Sequence, residues 1–459
     1  MPKVYHMTRV IDGAPAEFYT GPVTSTALEK DVPRVTWGRA LRDWPSLRRD
    51  PLRTLATWQR ARGPVYRLPG RRPVLALSDP RDIQHVLSTR QPNYHKGGNF
   101  ELTRETLGQG LVTSNGPHHD QQRRRLGSLF QRSKWTDLPT LVRVEAERVI
   151  HDWRGGGPVD VSRETARVAI GVVGRALFGL DLFGRAPDIA DAYLAGQRYL
   201  AAGAFSLWPA WSRWRRRASF RRATAAIVAV GEHVLAAAER GGARSDFLET
   251  LLSARDEAGR PLDRKLLRDE IITFLGAGHE TTGGALGWTF DLLFRYPAAW
   301  RRLAEESRAT AVPTPYAEAC LLEAMRLRPP VWCLGRRAQD TDRLPSGALV
   351  EAGAHVVVFP HVLNWDPAHF ADPMEFRPER FLPGADASAP YAFLPFGAGP
   401  RSCLGEGFAT IEMTTLLHHF VRRFDWEPAE AGAARAEALV SLRPRDGVWA
   451  RVRERTTSA

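Results

Sequence analysis

The sequence predicts a mainly α-helical protein with a small β region, and three observations carry that prediction. Helical periodicity dominates from about Asp120 to Leu327. Runs rich in β-branched residues are few and short. From about Asn364 to Leu404 the pattern is irregular, punctuated by Pro367, Pro373, Pro378, Pro383, Pro390, Pro395 and Pro400; so long a stretch is usually functional or disordered, and its aromatics argue for a packed loop. No Ser/Gly-rich or Pro-rich run separates these regions and no internal repeat is visible, while the length of 459 residues leaves open two or three domains or one unusually large one. An N-terminal extension is expected over 1–40, with the folded part of the chain at residues 41–459.

The elements follow in chain order. Asp50-Pro51, then Leu52, Leu55 and Ala56, then Gly63, supplies an N-cap, a first-turn proline and a terminating glycine. Val65 to Leu68 and Val74 to Leu77 read as two strands joined by a Pro-Gly-Arg-Arg turn. A long helical pattern runs from about Asp263 to Arg295. Ala348 to Pro360, with Val356-Val357-Val358, reads as strand, and a further helix starts at Glu406. The polar or Gly-rich segments 1–35 and Gly241–Ser245 are the expected flexible stretches.

Sixty-four Lys and Arg against 51 Asp and Glu leave a formal charge of +13. That excess suggests nucleic acid or an anionic membrane first. The densest basic segment is Arg213-Trp214-Arg215-Arg216-Arg217 with Arg221-Arg222, and a solvated face is the favoured reading of it. Three cysteines cannot make a disulfide framework, which points to a reducing compartment. No run approaches the roughly 18 apolar residues of a membrane span, and Met1 to Pro15 lacks the apolar core of a signal peptide. The expectation is a cytoplasmic protein without a transmembrane anchor.

The irregular stretch ends in Phe396-Gly397-Ala398-Gly399-Pro400-Arg401-Ser402-Cys403-Leu404-Gly405. A helix starting behind a cysteine offers backbone N–H groups and a positive dipole end to a thiolate. Gly399 and Gly405 admit something flat and bulky, and Arg401 offers a fork to a carboxylate. This segment resembles the haem-binding loop of cytochrome P-450 monooxygenases, whose thiolate-ligated iron favours O–O cleavage. The resemblance extends from about Asp50 to Val452. It implies the single-domain fold of that family around a buried haem b, with Cys403 as the metal ligand and Phe396, Gly397, Arg401 and Gly405 at the cofactor.

Other motifs agree. Glu323 and Arg326 lie three apart on one helical face and can pair. They resemble the family's Glu-x-x-Arg pair, with Arg380 as the implied third member of a structural lock. Gly276-Ala277-Gly278-His279-Glu280-Thr281-Thr282 places two glycines in a helix at about 1 kcal/mol each, and a Thr there can bond a carbonyl one turn back. A packing notch against another helix is the plain reading. By resemblance it is the oxygen-activating groove, with Ala277 at the cofactor, Thr281 donating a hydrogen bond there, Glu280 gating protons and His279 turned away. The resemblance also implies His119, Arg123, Arg336 and Arg401 as partners of the haem carboxylates, with Arg337 the competing register for Arg336. Cys320 reads as a small core residue, and Cys333 as one bordering the substrate pocket.

The implied function is monooxygenation of a hydrophobic small molecule in secondary metabolism, with O2 and electrons passed from NAD(P)H by a separate ferredoxin or flavodoxin and its reductase. The pocket is expected to be lined by Phe100, Leu111, Val112, Phe205, Leu207, Phe274, Val331, Leu334 and Val440, and no nucleic-acid partner is expected. A haem-thiolate isomerase or dehydratase, or a peroxide-driven peroxygenase, is the alternative; such relatives lack the acid–alcohol pair that Glu280-Thr281 supplies. Part of the positive charge, at Arg124, Arg125 and Arg422-Arg423, is expected to serve docking of an acidic electron donor.

Overall fold

The computed structural model describes residues 32–455, apart from 71, 98, 154–155, 203–208, 257, 386–388 and 431; the side chains of 99, 100, 102 and 209 also fall outside it. The chain divides into two compact units, Met1–Gly98 with Cys333–Glu375 and Arg380–Cys403, and Asn99–Trp332 with Phe376–Glu379 and Leu404–Ala459.

The first unit holds the small β region. Val65–Leu68 pairs antiparallel with Val74–Leu77. The latter runs parallel to His355–Val358, which pairs antiparallel with Leu334–Ala338, and Tyr94–His95 closes the edge. Val65, Leu75, Leu77, Val356 and Val358 bury their side chains in one core with Ile83, Val86 and Leu394. The Pro51–Arg62 helix stands as its sequence dictates. The Asp50 carboxylate accepts the Arg53 amide at 3.0 Å, and Gly63 ends the helix at φ +88°. The expected strand over Ala348 to Pro360 is two strands, Leu349–Val350 and His355–Val358, because Ala352-Gly353 turns the chain between them.

The second unit is a helical assembly around the 32-residue Arg264–Arg295 helix. That helix packs unusually close to Val161–Phe178. A Cβ on Gly278 would lie 2.7 Å from the Val173 side chain, and one on Gly283 would lie 2.9 Å from the Ala166 Cβ. Gly278 is thus a packing notch against that helix, the plain reading of its helical cost. The buried Trp288 donates from Nε1 to the Leu442 carbonyl at 3.1 Å, tying the same helix to the Ala436–Ala438 and Leu442–Pro444 hairpin. Pro315–Leu327 stops before Pro329-Pro330, and Glu406–Arg423 begins directly after Gly405. Among the described residues no helix is long and apolar enough to cross a membrane.

Candidate functional site

The cysteine loop belongs to the first unit. Gly397 and Gly399 adopt φ of +72° and +70°. They let the chain fold back so that the Ser402 amide bonds the Gly399 carbonyl at 2.9 Å and the Cys403 amide bonds the Phe396 carbonyl at 2.8 Å. The sequence reading gave Gly399 to the approach of a flat group. In the structure its space is taken by backbone: a Cβ there would lie 2.0 Å from the Leu87 carbonyl oxygen. On Gly405, by contrast, a Cβ would meet no protein atom within 4 Å.

The three cysteines separate cleanly, and none forms a disulfide. Burial pushes the Cys320 thiol far up and the Cys333 thiol up to about 12, so neither yields a thiolate readily. Cys403 alone has an exposed side chain. In the same unit Arg336, on the Leu334–Ala338 strand, is only 5% exposed, and its Nε has no hydrogen-bond partner. Burial, and then the like charge of Arg401, draw its pKa down to about 10. Arg337, on the alternate face, is half-buried. An accessible thiol, a buried guanidinium with an orphaned N–H and a second guanidinium close enough to repel it form a donor set suited to a metal-bearing, dianionic cofactor. Haem fits these residues.

The acid–alcohol pair belongs to the second unit. The Thr281 hydroxyl donates to the Ala277 carbonyl at 2.8 Å, the one-turn back-bond its position suggested. Beside it, Oε2 of Glu280 accepts from the Gln197 side-chain amide and lies 2.7 Å from the Ser441 hydroxyl. Ser441 also bonds Gln197 through its amide at 3.0 Å. Gln197 and Ser441 are 83 and 161 residues from Glu280, and no local signal could have found them. His279 is buried, with Nδ1 donating to the Leu275 carbonyl at 2.7 Å and the Tyr193 ring edge-on at 5.0 Å. Burial holds its pKa down. Gly276 lies against the same Tyr193 ring.

His119 is buried on the Gly116–Gly127 helix with Nδ1 2.9 Å from Asp120 Oδ1, and Arg123, one turn on, is half-buried. Glu323 and Arg326 are both fully buried and joined twice, Nε to Oε2 at 2.7 Å and Nη2 to Oε1 at 2.8 Å. The Arg377 backbone amide adds a third donor to Glu323 at 2.8 Å, a contact that side-chain motifs do not reveal. Arg380 donates from Nη2 to the Asp372 carbonyl at 3.0 Å.

Of the expected pocket residues, Phe205 and Leu207 lie outside the described residues, as does the side chain of Phe100. Leu111 is buried and Val112 half-buried. Phe274 stacks on Phe130 at 5.4 Å and meets Phe247 edge-on at 4.8 Å, in an aromatic cluster. Leu334 is half-buried, whereas Val331 and Val440 are exposed. Arg423, expected to serve docking, is instead engaged within its own unit, paired with Glu147 and with Glu454 at 2.6 Å. Arg124 and Arg422 remain exposed.

A cysteine loop and a buried arginine short of an anion in the first unit, and a back-bonded threonine beside a carboxylate in the second, each fit a haem-thiolate protein. The family description "Cytochrome P450" matches residues 43–445, and the chain belongs to that family. It is 31% identical to cyclooctatin synthase of Streptomyces melanosporofaciens over 86% of this chain and 89% of that one. It is 32% identical to pentalenene oxygenase of Streptomyces avermitilis over 74% and 78%. Cytochrome P450 4V2 of Homo sapiens is 35% identical over a shorter stretch, 46% and 43% of the two chains. Membership carries the mainly α fold with a small β region, monooxygenase activity, haem b on a cysteine thiolate, and electrons from NAD(P)H by way of partner proteins.

Proposed function

We propose that the chain hydroxylates, or otherwise oxidises, a hydrophobic small molecule of the terpenoid kind, with Cys403 as the haem ligand and residues 41–459 as the haem-thiolate domain. Two Streptomyces relatives, named cyclooctatin synthase and pentalenene oxygenase, support the substrate class. The observation that carries the reaction class is the Thr281–Ala277 bond beside the Glu280–Gln197–Ser441 network. Bound haem supplies dioxygen activation, and that chemistry consumes two protons for each oxygen molecule split.

This chain's residues manage those protons. Thr281 gives its one hydroxyl hydrogen to the Ala277 carbonyl, so in this geometry it does not donate to the cofactor as the resemblance implies; its oxygen accepts a hydrogen bond there, and it donates only once the hydroxyl turns. Glu280, which gates protons in this reading, is held by two neutral donors, the Gln197 amide and the Ser441 hydroxyl, rather than by a cation. Arg336, Arg401, His119 and Arg123 would hold the cofactor's carboxylates, and Glu323, Arg326 and Arg380 would serve as structural residues. Arg124 and Arg422 present positive charge to a ferredoxin or flavodoxin in the cytoplasm. A Thr281→Ala variant should keep consuming NAD(P)H while forming far less product. Unchanged coupling would overturn the role of Thr281. Product formed from hydrogen peroxide alone at the wild-type rate would favour the peroxygenase reading, and rearrangement of a peroxide without electrons the isomerase reading.

A further inference from the structure

The Gly108–Ser114 loop follows the Asn99–Leu107 helix and carries Leu111 and Val112. It is closed on itself. The Thr113 hydroxyl donates to the Gly108 carbonyl at 2.6 Å, and Arg104 donates to the Thr113 carbonyl at 2.9 Å. It is also pinned to the first turns of the long helix by two successive carboxyls. Asp269 Oδ2 accepts the Gln109 amide and Glu270 Oε2 accepts the Leu111 amide, each at 3.0 Å. Alternate amides of the loop are thus taken by adjacent side chains of the helix.

The approach is too close for side chains on the loop. A Cβ on Gly108, at φ +62°, would lie 1.9 Å from Asp269 Oδ2, and one on Gly110 would lie 2.3 Å from Thr273 Oγ1. Gly108 thus faces the Asp269 carboxyl, and Gly110 faces the Thr273 side chain and the Asp269 backbone carbonyl. The carboxyls are not equivalent: Asp269 pairs with Lys265 and Arg268 at 3.0 Å each, while Glu270, 1% exposed, has Oε1 unpartnered. Burial, and to a lesser degree the charge of Asp269, push Glu270 up to about 8, so it is a neutral acid at neutral pH and still accepts through its carbonyl oxygen. The cavity of about 10 Å³ beside it, bordered by Gln122, Arg125 and Leu126, has room for a single water at most. Bulk solvent therefore does not compete for the Leu111 amide.

We propose that Asp269 and Glu270 form a positioning clamp that sets Leu111 and Val112, and through them the size of hydrophobic ligand the protein accepts. The specificity part rests on the pocket reading above, and the clamp itself does not. The test uses the haem-loaded full chain with Glu270→Leu, which cannot accept a hydrogen bond, and Glu270→Gln, which can; Glu270→Ala replaces the leucine variant if that one does not fold. Hydrogen exchange at the Leu111 amide should accelerate about tenfold in Glu270→Leu and stay near wild type in Glu270→Gln, the loss of one buried hydrogen bond. The ratio of dissociation constants for imidazole and clotrimazole, read from the shift of the haem absorption band, should change about tenfold in Glu270→Leu and recover in Glu270→Gln. Unchanged exchange overturns the clamp. Faster exchange with an unchanged ratio overturns the specificity role while leaving the haem-thiolate reading intact, and failure of that reading would instead show as loss of the reduced carbon-monoxide band in the wild type.

Discussion

Glu323→Ala should be among the most damaging single changes in the second unit, and the structure supplies its size. The Glu323 carboxylate takes two bonds from Arg326, at 2.7 and 2.8 Å, and one from the Arg377 amide at 2.8 Å, with both side chains fully buried. Removing it takes the bidentate partner from a guanidinium that has no access to water. Breaking a buried pair in this way costs about 3–5 kcal/mol, out of a total stability on the order of 5–15 kcal/mol. Taking about 4 kcal/mol, the folded-to-unfolded ratio falls roughly a thousandfold. Urea titration of the haem-loaded protein, followed in parallel by far-ultraviolet circular dichroism and the haem band, measures it. The double variant Glu323→Leu, Arg326→Met should recover much of the loss, because no charge is then stranded, giving a coupling of at least about 2 kcal/mol. A cost below about 1 kcal/mol for Glu323→Ala, or additive single variants, would refute this account.

Cys403→Ser should abolish the red-shifted carbon-monoxide band of the reduced protein, and a surviving band would place the ligand elsewhere. Glu270 has its folded pKa raised above the ordinary carboxyl value of 4.5, to about 8, so the folded state holds a proton the unfolded chain has released. Its contribution to stability is present below pH 4.5 and is lost as pH rises through 8. Glu270→Gln should therefore flatten the fall in melting temperature between about pH 5 and 8, the span between the two pKa values, and an unchanged slope would count against it. Glu412 is fully buried with neither carboxyl oxygen bonded, and burial raises its pKa strongly. Glu412→Met should be neutral to stabilising, increasingly so at alkaline pH; a loss above about 2 kcal/mol in urea titration would show that the carboxyl has work to do. Reduction by a ferredoxin should slow with ionic strength and on Arg422→Glu, and stopped-flow rates indifferent to both would end the docking idea.

Local features were the legible ones. Asp50 and Gly63 bracket the Pro51–Arg62 helix because caps and terminators act within a turn of their own position. The Glu323–Arg326 pair, the Thr281 back-bond and the start of the Glu406–Arg423 helix are equally local. Pairings across long stretches of chain were not legible. The sheet order that sets Val74–Leu77 beside His355–Val358 depends on partners almost 300 residues apart. The neutral donors around Glu280 come from Gln197 and Ser441, ordinary residues in ordinary surroundings until the fold gathers them. Arg423 looked like free charge because Glu147 and Glu454 are remote in sequence. Gly276 and Gly278 announced a close approach, but only the fold names Tyr193 and Val173 as what approaches.

The π-helical turn His85–Thr89 touches the cysteine loop's own stretch of chain twice. The Leu87 carbonyl occupies the space beside Gly399, and the Ser88 hydroxyl lies 2.7 Å from the hydroxyl of Tyr391, a residue held at φ +64°. The loop is therefore shaped in part by five residues more than 300 positions upstream. Grafting the Phe396–Gly405 segment between relatives is then not a self-contained exchange. A chimera that takes the loop without a matching 85–89 turn inherits a glycine facing the wrong backbone, and its defect will surface as poor cofactor retention in a segment whose sequence looks correct.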